Sequence, residues 1–420
     1  MSSSHTFVVF SAIPTYIFHS SLILHFPLPK LKTNTNLQTR IFFSQATPMG
    51  SLPSSPRPST PPPSSPNPNS LSNFRVCATF CYREPAPNLN ISNWIEWYDP
   101  STNTWTHASS IPGLTENHVL KGFAMVSLRD SVYIIGGRVC NKRRAHTSDE
   151  SSELVDMDIE VSASVLRYNV GSNQWSTCAP LGIPRCDFAC TVSDNKIYVA
   201  GGKTTLASAR GIPFAEVYDP DLDGWTPLPD MSTLRYKCVG VTWVGKIYVV
   251  GGFAERVDSD VPAIMVRSSA EVYDPRVGKW DLVVGMWQLD VPPNQIVAVD
   301  GRLFSSGDCY KQWKGHIESY DGMLNIWNEV EGSHRQCPTA LGPHDQNWAL
   351  SQRRYLTMAP IGVDLYFLAG YGMERELSRT MSIVHKFDTS ATNDAWTSME
   401  PMEEDGEKEL CGHCCVVQLS

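Results

Sequence analysis

The residues best equipped for chemistry in this 420-residue chain are its twelve cysteines and eleven histidines. Cys77 and Cys81 stand four apart, which puts both on one face of a strand. A denser group, Cys411-Gly412-His413-Cys414-Cys415, lies near the C-terminal end. Thiolate and imidazole are zinc ligands, so a clasp between the two groups is one reading. Tetrahedral coordination is awkward on flat strands, however, and Cys-x3-Cys is not a zinc-knuckle spacing. Structural thiols, behaving as small buried hydrophobes in a reducing compartment, are the expected state. No two histidines stand at metal-ligand spacing. A glycine-rich phosphate loop, a Gly-x-Ser-x-Gly elbow and a His-Glu-x-x-His pair are all missing. Local motifs therefore assign no catalytic residue, metal or cofactor. They do not address a site assembled from distant segments.

Positive charge is placed more regularly. Arg185 follows Ile183-Pro184, Arg235 follows Ser232-Thr233-Leu234, and Arg353-Arg354 precede Tyr355. Lys121 takes the equivalent place further upstream. Arginine pairs bidentately with carboxylate or phosphate, and it also satisfies backbone carbonyls; both roles fit a position that recurs. One long connection, residues 138–160, starts basic with Lys142, Arg143 and Arg144. It turns acidic with Asp149, Glu150, Glu153, Asp156, Asp158 and Glu160. It reads either as a solvated, flexible insertion or as a charged docking loop whose basic half is a weak nuclear-import patch.

The scaffold that must position these groups is repetitive. Six aromatic pairs recur: Tyr98/Trp105, Tyr168/Trp175, Tyr218/Trp225, Tyr273/Trp280, Tyr320/Trp327 and Phe387/Trp396. The first five are spaced by seven residues and the last by nine. Four tyrosines open a turn, as Tyr98-Asp99-Pro100, Tyr218-Asp219-Pro220, Tyr273-Asp274-Pro275 and Tyr320-Asp321-Gly322. Glycine doublets precede most of these signatures: Gly136-Gly137, Gly201-Gly202 and Gly251-Gly252, with Ser306-Gly307 and Ala369-Gly370 as degenerate versions. Each doublet ends a β-branched and aromatic run such as Val132-Tyr133-Ile134-Ile135, hence a strand. Glycine there permits unusual dihedrals and close backbone approach. One unit reads as strand, turn, strand, Gly-Gly, loop, strand with Tyr-Asp, turn, strand with Trp. That is the four-stranded content of a propeller blade, repeated at roughly 50 residues. The rings and glycines are assigned to the interior, where buried aromatic area holds sheets together.

The Gly-Gly doublet, the Tyr-Asp-Pro turn and the following Trp resemble kelch repeats over residues 74–420. The departures are Phe80-Cys81 where the first doublet belongs, Ser306-Gly307, and the longer Phe387/Trp396 spacing. The resemblance implies an all-β, six-bladed kelch β-propeller. Five complete units run from about Lys121 to Met399. Three N-terminal strands (Phe74 to Tyr82, Trp94 to Asp99, Trp105 to Ala108) plus one C-terminal strand (His413 to Leu419) make the closing blade. Closure removes two sheet edges that would otherwise invite aggregation. In kelch domains that bind peptides, inter-blade residues ring the channel mouth. By that resemblance Arg185, Arg235, Arg353, Arg354 and Lys121 form a ring of cations for an acidic or phosphorylated peptide. The chain also resembles plant F-box/kelch proteins, which implies a non-catalytic interaction platform for a protein or peptide, linked to ubiquitination. An F-box itself is not evident. The alternative is a sugar-like small-molecule binding or isomerising propeller that uses the central cavity. Enzyme relatives with a copper site or with Glu-x-x-x-Asp-x-x-x-His are not matched by these residues.

The first 83 residues carry six bases and no acid, while the chain as a whole carries −9, so residues 84–420 carry −15. An acidic body argues against nucleic acid as a partner. Residues 49–73 are dominated by proline and serine and are expected to be a disordered tether. They include Ser-Pro and Thr-Pro steps and polyproline-like spacings. Residues 1–48 contain an apolar stretch interrupted by Pro14, His19, His25 and Pro27, too broken for a stable membrane helix. They read as a transit-like segment or as sequence upstream of a start at Met49. A start there would set Gly50 and Ser54 in a myristoylation pattern. The expected compartment is cytoplasm and/or nucleus, or a plastid if residues 1–48 act as a transit peptide.

Overall fold

The computed structural model describes residues 71–83, 91–115, 117–146, 152–256, 266–289, 291–306, 308–309, 312–313, 316–333, 350–373, 376–391 and 394–419. The chain divides into two units, Met1–Thr60 and Pro61–Ser420, and all described residues belong to the second. The expected extension 1–48 and residues 49–70 of the expected tether lie outside the described residues. Every element with described bounds is a strand. No described helix is long and apolar enough to cross a membrane.

Among the described residues, six sheets carry four or more antiparallel strands. The second sheet illustrates the repeat, with Ala124–Leu128, Ser131–Ile135, Val165–Asn169 and Gln174–Thr177 in spatial order. The third starts from Ala189–Ser193, the fourth from Val239–Trp243, the fifth from Ile296–Val299 and the sixth from Leu350–Ile361. The first sheet is different. Its order is Thr104–Ser110, Trp94–Asp99, Phe74–Tyr82 and Lys408–Gln418, so the C-terminal strand is paired to the first described strand. Each innermost strand lies beside the next, and Leu350–Ile361 returns to Lys408–Gln418, which in turn meets Ala124–Leu128.

The aromatic pairs explain why each sheet forms. All six are cross-strand partners in register, from Tyr98 opposite Trp105 to Phe387 opposite Trp396. Their ring centroids lie 4.9–5.3 Å apart, within the range of favourable aromatic contact. The turn between partners is fixed by an acid or amide. Asp219 Oδ1 accepts from the Asp221 amide, and Asp321 Oδ1 from the Met323 amide. Two residues before each Trp the backbone is left-handed: Asn103, Asn173, Asp223, Gly278, Asn325 and Asp394 all have φ between 43° and 71°. Asn, Asp and Gly adopt that conformation most readily. In four cases the side chain also accepts the tyrosine hydroxyl, at 2.7–3.1 Å.

Sheets are joined by apolar wedges and by the tryptophans. Leu128, Ile135 and Val165 of the second sheet pack with Ile197, Val199 and Tyr218 of the third. Comparable clusters lie between the first and second, third and fourth, fourth and fifth, fifth and sixth, and sixth and first sheets. Five tryptophan Nε1–H groups donate to chain at the end of the preceding sheet. Trp175 reaches Ser109 Oγ, Trp225 the Ala179 carbonyl, Trp280 Pro229, Trp327 Met286 and Trp396 Ser333.

Residues 138–160, expected to be a loop, instead include two paired strands, Arg138–His146 and Ser152–Val161, and residues 147–151 lie outside the described residues. The second strand alternates Val155, Met157, Ile159, Val161 with Asp156, Asp158, Glu160. That is a period-two pattern, which the run of negative charge obscures. His118–Lys121 pairs onto the first strand, making a three-stranded ribbon beside the second sheet. Thr233–Tyr236 with Phe253–Arg256, and Asp308–Cys309 with Gln312–Trp313, form two-stranded ribbons in comparable connections.

Candidate functional site

The glycine doublets and the recurring arginines form one interlocked device. Gly137 and Gly202 have φ of 100° and 95°. A Cβ on Gly202 would sit 2.8 Å from the Cys186 carbonyl oxygen. The Gly137 amide donates to the Arg185 carbonyl at 2.8 Å, and the Gly202 amide to the Arg235 carbonyl at 2.7 Å. The arginine side chains then reach forward to the next doublet. Arg185 Nη1 donates to the Gly201 and Phe214 carbonyls and Nη2 to Glu216 Oε1 at 2.5 Å. Arg235 Nη1 donates to the Gly251 and Ser269 carbonyls, Nη2 to Ser269 Oγ and Nε to Thr233 Oγ1. Both arginines have 0 % exposure. Burial pulls both guanidinium pKa values below the ordinary arginine value, against the opposing charges of Glu216 for Arg185 and of Glu271 for Arg235.

These are two of the residues expected in a ring of cations at the channel mouth. Their donors are used on buried carbonyls, which would otherwise lack partners. The remaining expected cations are placed elsewhere. Arg354 Nη2 pairs with Glu407 Oε1 at 2.8 Å, and Arg353 lies opposite Tyr371 in the sixth sheet. Lys121 bonds Asp156 and Glu409, the latter at 2.7 Å. Lys142 is 4 % exposed and donates to Glu409 Oε2 and to the Tyr82 carbonyl. Burial alone would depress the Lys121 ammonium, but Glu409 and Asp156 raise it above the ordinary lysine value. Lys142 thus spends its ammonium hydrogens inside the protein. The side chains of Arg143 and Arg144 lie outside the described residues.

A different charged surface emerges where the third and fourth sheets meet their ribbon. Tyr236 and Phe253 are opposed across that ribbon, with ring centroids 5.2 Å apart. Lys203 Nζ lies 4.4 Å from the Tyr236 centroid, Lys237 Nζ 6.0 Å from that of Phe253, and the Arg267 guanidinium 5.7 Å from it. Ion–ring attraction of this kind holds cations over a flat apolar platform. Sequence reading missed the platform because its members come from three connections. The only local signal was the basic residue immediately after Gly201-Gly202.

The innermost strands enclose a channel of about 760 Å³. Its wall includes Ser127, Thr191, Thr242, Asn294, Gln295 and His413. His413 is exposed to the channel but surrounded by protein, which lowers its pKa to about 4 against a hydrogen bond that its ring donates to the Asn294 backbone carbonyl. Burial pushes Cys238 up to about 11 and Cys414 up to about 12. Those thiols stay protonated and inert at neutral pH. Among the described residues no three His, Cys, Asp or Glu side chains converge to hold a metal ion.

This architecture, antiparallel four-stranded sheets in series with glycine doublets and paired rings, is that of a kelch β-propeller. The family described as Kelch motif matches residues 87–112, 184–232 and 234–286. The chain therefore carries kelch repeats, and it resembles the plant F-box/kelch-repeat group. F-box/kelch-repeat protein At1g16250 of Arabidopsis thaliana is 32 % identical over 199 residues, 47 % of this chain and 46 % of that protein. Kelch-like protein 23 of Homo sapiens is 28 % identical over 205 residues, 48 % of this chain and 29 % of that protein. The chain thus spans less than half the length of either relative. The solved structure of YjhT aligns with a TM-score of 0.45 at 13 % identity, covering 73 % of this chain and 94 % of that one.

Proposed function

We propose that this chain is a six-bladed propeller working as a non-catalytic interaction platform, and that it recognises an acidic protein segment. The observation that carries the reading is the Tyr236–Phe253 platform with Lys203, Lys237 and Arg267 set over it. Cations held beside an apolar face suit an acidic peptide that also carries an apolar side chain. The names of the F-box/kelch relatives support a role in selecting substrates for ubiquitination. Free thiols throughout the described residues fit work in the cytoplasm or nucleus. The test is binding of the full-length protein to a library of acidic peptides, comparing wild type with Lys203→Glu plus Lys237→Glu. A peptide whose affinity falls by at least about tenfold in the double variant supports the platform. Binding that is unchanged by the reversal removes it.

A second reading, small-molecule binding, draws on the 760 Å³ channel, a volume within the range of ligand pockets. A thermal shift from a sugar-like metabolite, lost on His413→Leu, is its expected signature.

A further inference from the structure

The outermost strands of the six large sheets are short, from the three residues of Trp396–Ser398 to the seven of Thr104–Ser110. Short edges offer little backbone for another chain to pair with. Ser152–Val161 departs from that pattern. It is ten residues long and forms one edge of the three-stranded ribbon, whose order is His118–Lys121, Arg138–His146, Ser152–Val161. Among the described residues it pairs with Arg138–His146 alone. In such an antiparallel pair about half of an edge strand's N–H and C=O groups point away from its partner. The pairing runs without a shift from Ser152, opposite His146, to Asp158, opposite Cys140, and a bulge follows at Ile159. Asp156, Met157, Asp158, Ile159 and Glu160 are all exposed, Met157 to 52 % and Ile159 to 48 %. On the inner strand, by contrast, Cys140 and Lys142 are buried.

We propose that the straight stretch from Ser152 to Asp158 is a docking edge, which takes up a basic, extended segment of a partner protein as a fourth strand of the ribbon. In this mode of recognition backbone pairing supplies affinity and side chains choose the partner. Ser152–Val161 holds Glu153, Asp156, Asp158 and Glu160 and no Lys, Arg or Pro. Lysine and proline are the residues that ordinarily blunt an edge. The ribbon's own pairing displays the complementary chemistry. Lys142 stands opposite Asp156, on a strand that also carries Arg138, Arg143 and Arg144. Lys121 bonds Asp156, and Arg138 Nε bonds Asp158 at 3.1 Å, but the two carboxylate side chains stay 39 % and 42 % exposed. A carboxylate accepts from more than one donor, so each can meet a second base from the open side. Opposite charges across a sheet attract and like charges repel. A second copy of this strand would set acid against acid. A segment that alternates Lys or Arg with apolar residues meets the acids with the first kind and Met157 with the second.

The experiment titrates full-length protein into a fluorescently labelled Lys-Val-Lys-Val-Lys-Val-Lys peptide at physiological salt and follows anisotropy. A second peptide of the same sequence is N-methylated on its central amides, which keeps the charge and removes the backbone donors of both strand edges. The methylated peptide should bind at least about tenfold more weakly. Met157→Lys plus Glu160→Lys changes two exposed positions and places bases on the edge. That variant should bind the unmethylated peptide at least about tenfold more weakly, with its melting temperature unchanged. Lys203→Glu plus Lys237→Glu, on the aromatic platform, should leave this affinity within about twofold of wild type, because salt screens distant charges. Equal affinity for the two peptides would reduce the attraction to charge alone and overturn the proposal. So would binding that the Met157/Glu160 variant leaves intact. A concentration-dependent dimer in sedimentation, abolished by that variant, would give the edge to a second copy and overturn it as well.

Discussion

The junction between the third and fourth sheets and the junction between the chain ends hold neighbouring sheets together by different chemistry. At the first, Arg235 is enclosed by carbonyls, two hydroxyls and a glycine doublet, all supplied by residues within 34 positions of it. At the second, the cations are lysines and their partners are carboxylates far away in sequence. Lys408 Nζ bonds both oxygens of Glu96, 312 positions away, and Glu409 is shared by Lys121 and Lys142, 288 and 267 positions away. The repeated junction is written by a local motif. The closing junction is specified by pairs that no repeat contains, and it depends on one strand being present.

The largest effect should follow from removing that strand. Deleting residues 411–420 strips most of Lys408–Gln418 and exposes the edge of Phe74–Tyr82. The truncated protein should be insoluble, or melt roughly 10 °C or more below the full chain. A soluble monomer with unchanged melting would mean that the seam contributes nothing.

Next in size is a pair of cation deletions that sets a repeated junction, here the corresponding one between the second and third sheets, against the closing one. Arg185→Ala leaves Glu216, whose side chain is 5 % exposed, without its charge partner. Chemical denaturation should show a loss of about 3–5 kcal/mol. Lys142→Ala leaves Glu409 partly exposed and still held by Lys121, so about 1 kcal/mol is expected. Equal losses would erase the distinction between the two junctions.

The doublets give a third test, in which crowding and dihedral strain are separated. Gly202→Ala meets both a φ of 95° and a carbonyl oxygen 2.8 Å from the new Cβ. Gly245 has a φ of 70° with open space around it. Gly245→Ala should cost about 1 kcal/mol and Gly202→Ala at least about 2 kcal/mol. If the two melt alike, close packing against the neighbouring arginine segment is not what the doublet is for.

These contrasts also show which parts of the molecule could be read from the chain itself. The Tyr/Trp pairs were legible because a sheet places them opposite one another at a fixed count, and the count survives in sequence. The pairing of the chain ends was legible because three strands at one end and one at the other complete a sheet. The ribbon at Arg138–His146 and Ser152–Val161 was hidden because its first strand is crowded with bases and its second alternates with acids, so each looked like a charge run. The carbonyl bonds of Arg185 and Arg235 were one of two readings of the recurring arginine, and sequence could not choose between them, since a residue at an inter-sheet step can face solvent or carbonyls equally well. Lys408, Glu96 and Glu404 escaped notice altogether. Their meeting is a consequence of closure, and closure brings together residues without any common motif.

The smallest effect expected concerns acid, and it tests whether the seam is electrostatic at all. Burial alone would raise the Glu409 carboxyl, but Lys121 and Lys142 outweigh it and hold the pKa below the ordinary value of 4.5. A carboxylate depressed in the folded state contributes stability that is complete above its unfolded pKa and is lost as pH falls through the folded one. Glu404 acts in the opposite sense, because burial raises it despite Lys408. A bulk melting curve therefore mixes the two, and a difference measurement is needed. Wild type should out-melt Glu409→Gln near neutral pH, by less than about 1 kcal/mol given the partial exposure of Glu409. The gap should close as pH falls below the ordinary glutamate value of 4.5. A gap that persists there would assign the strand's hold to pairing and apolar contact alone, leaving the lysines to position it without adding to its strength.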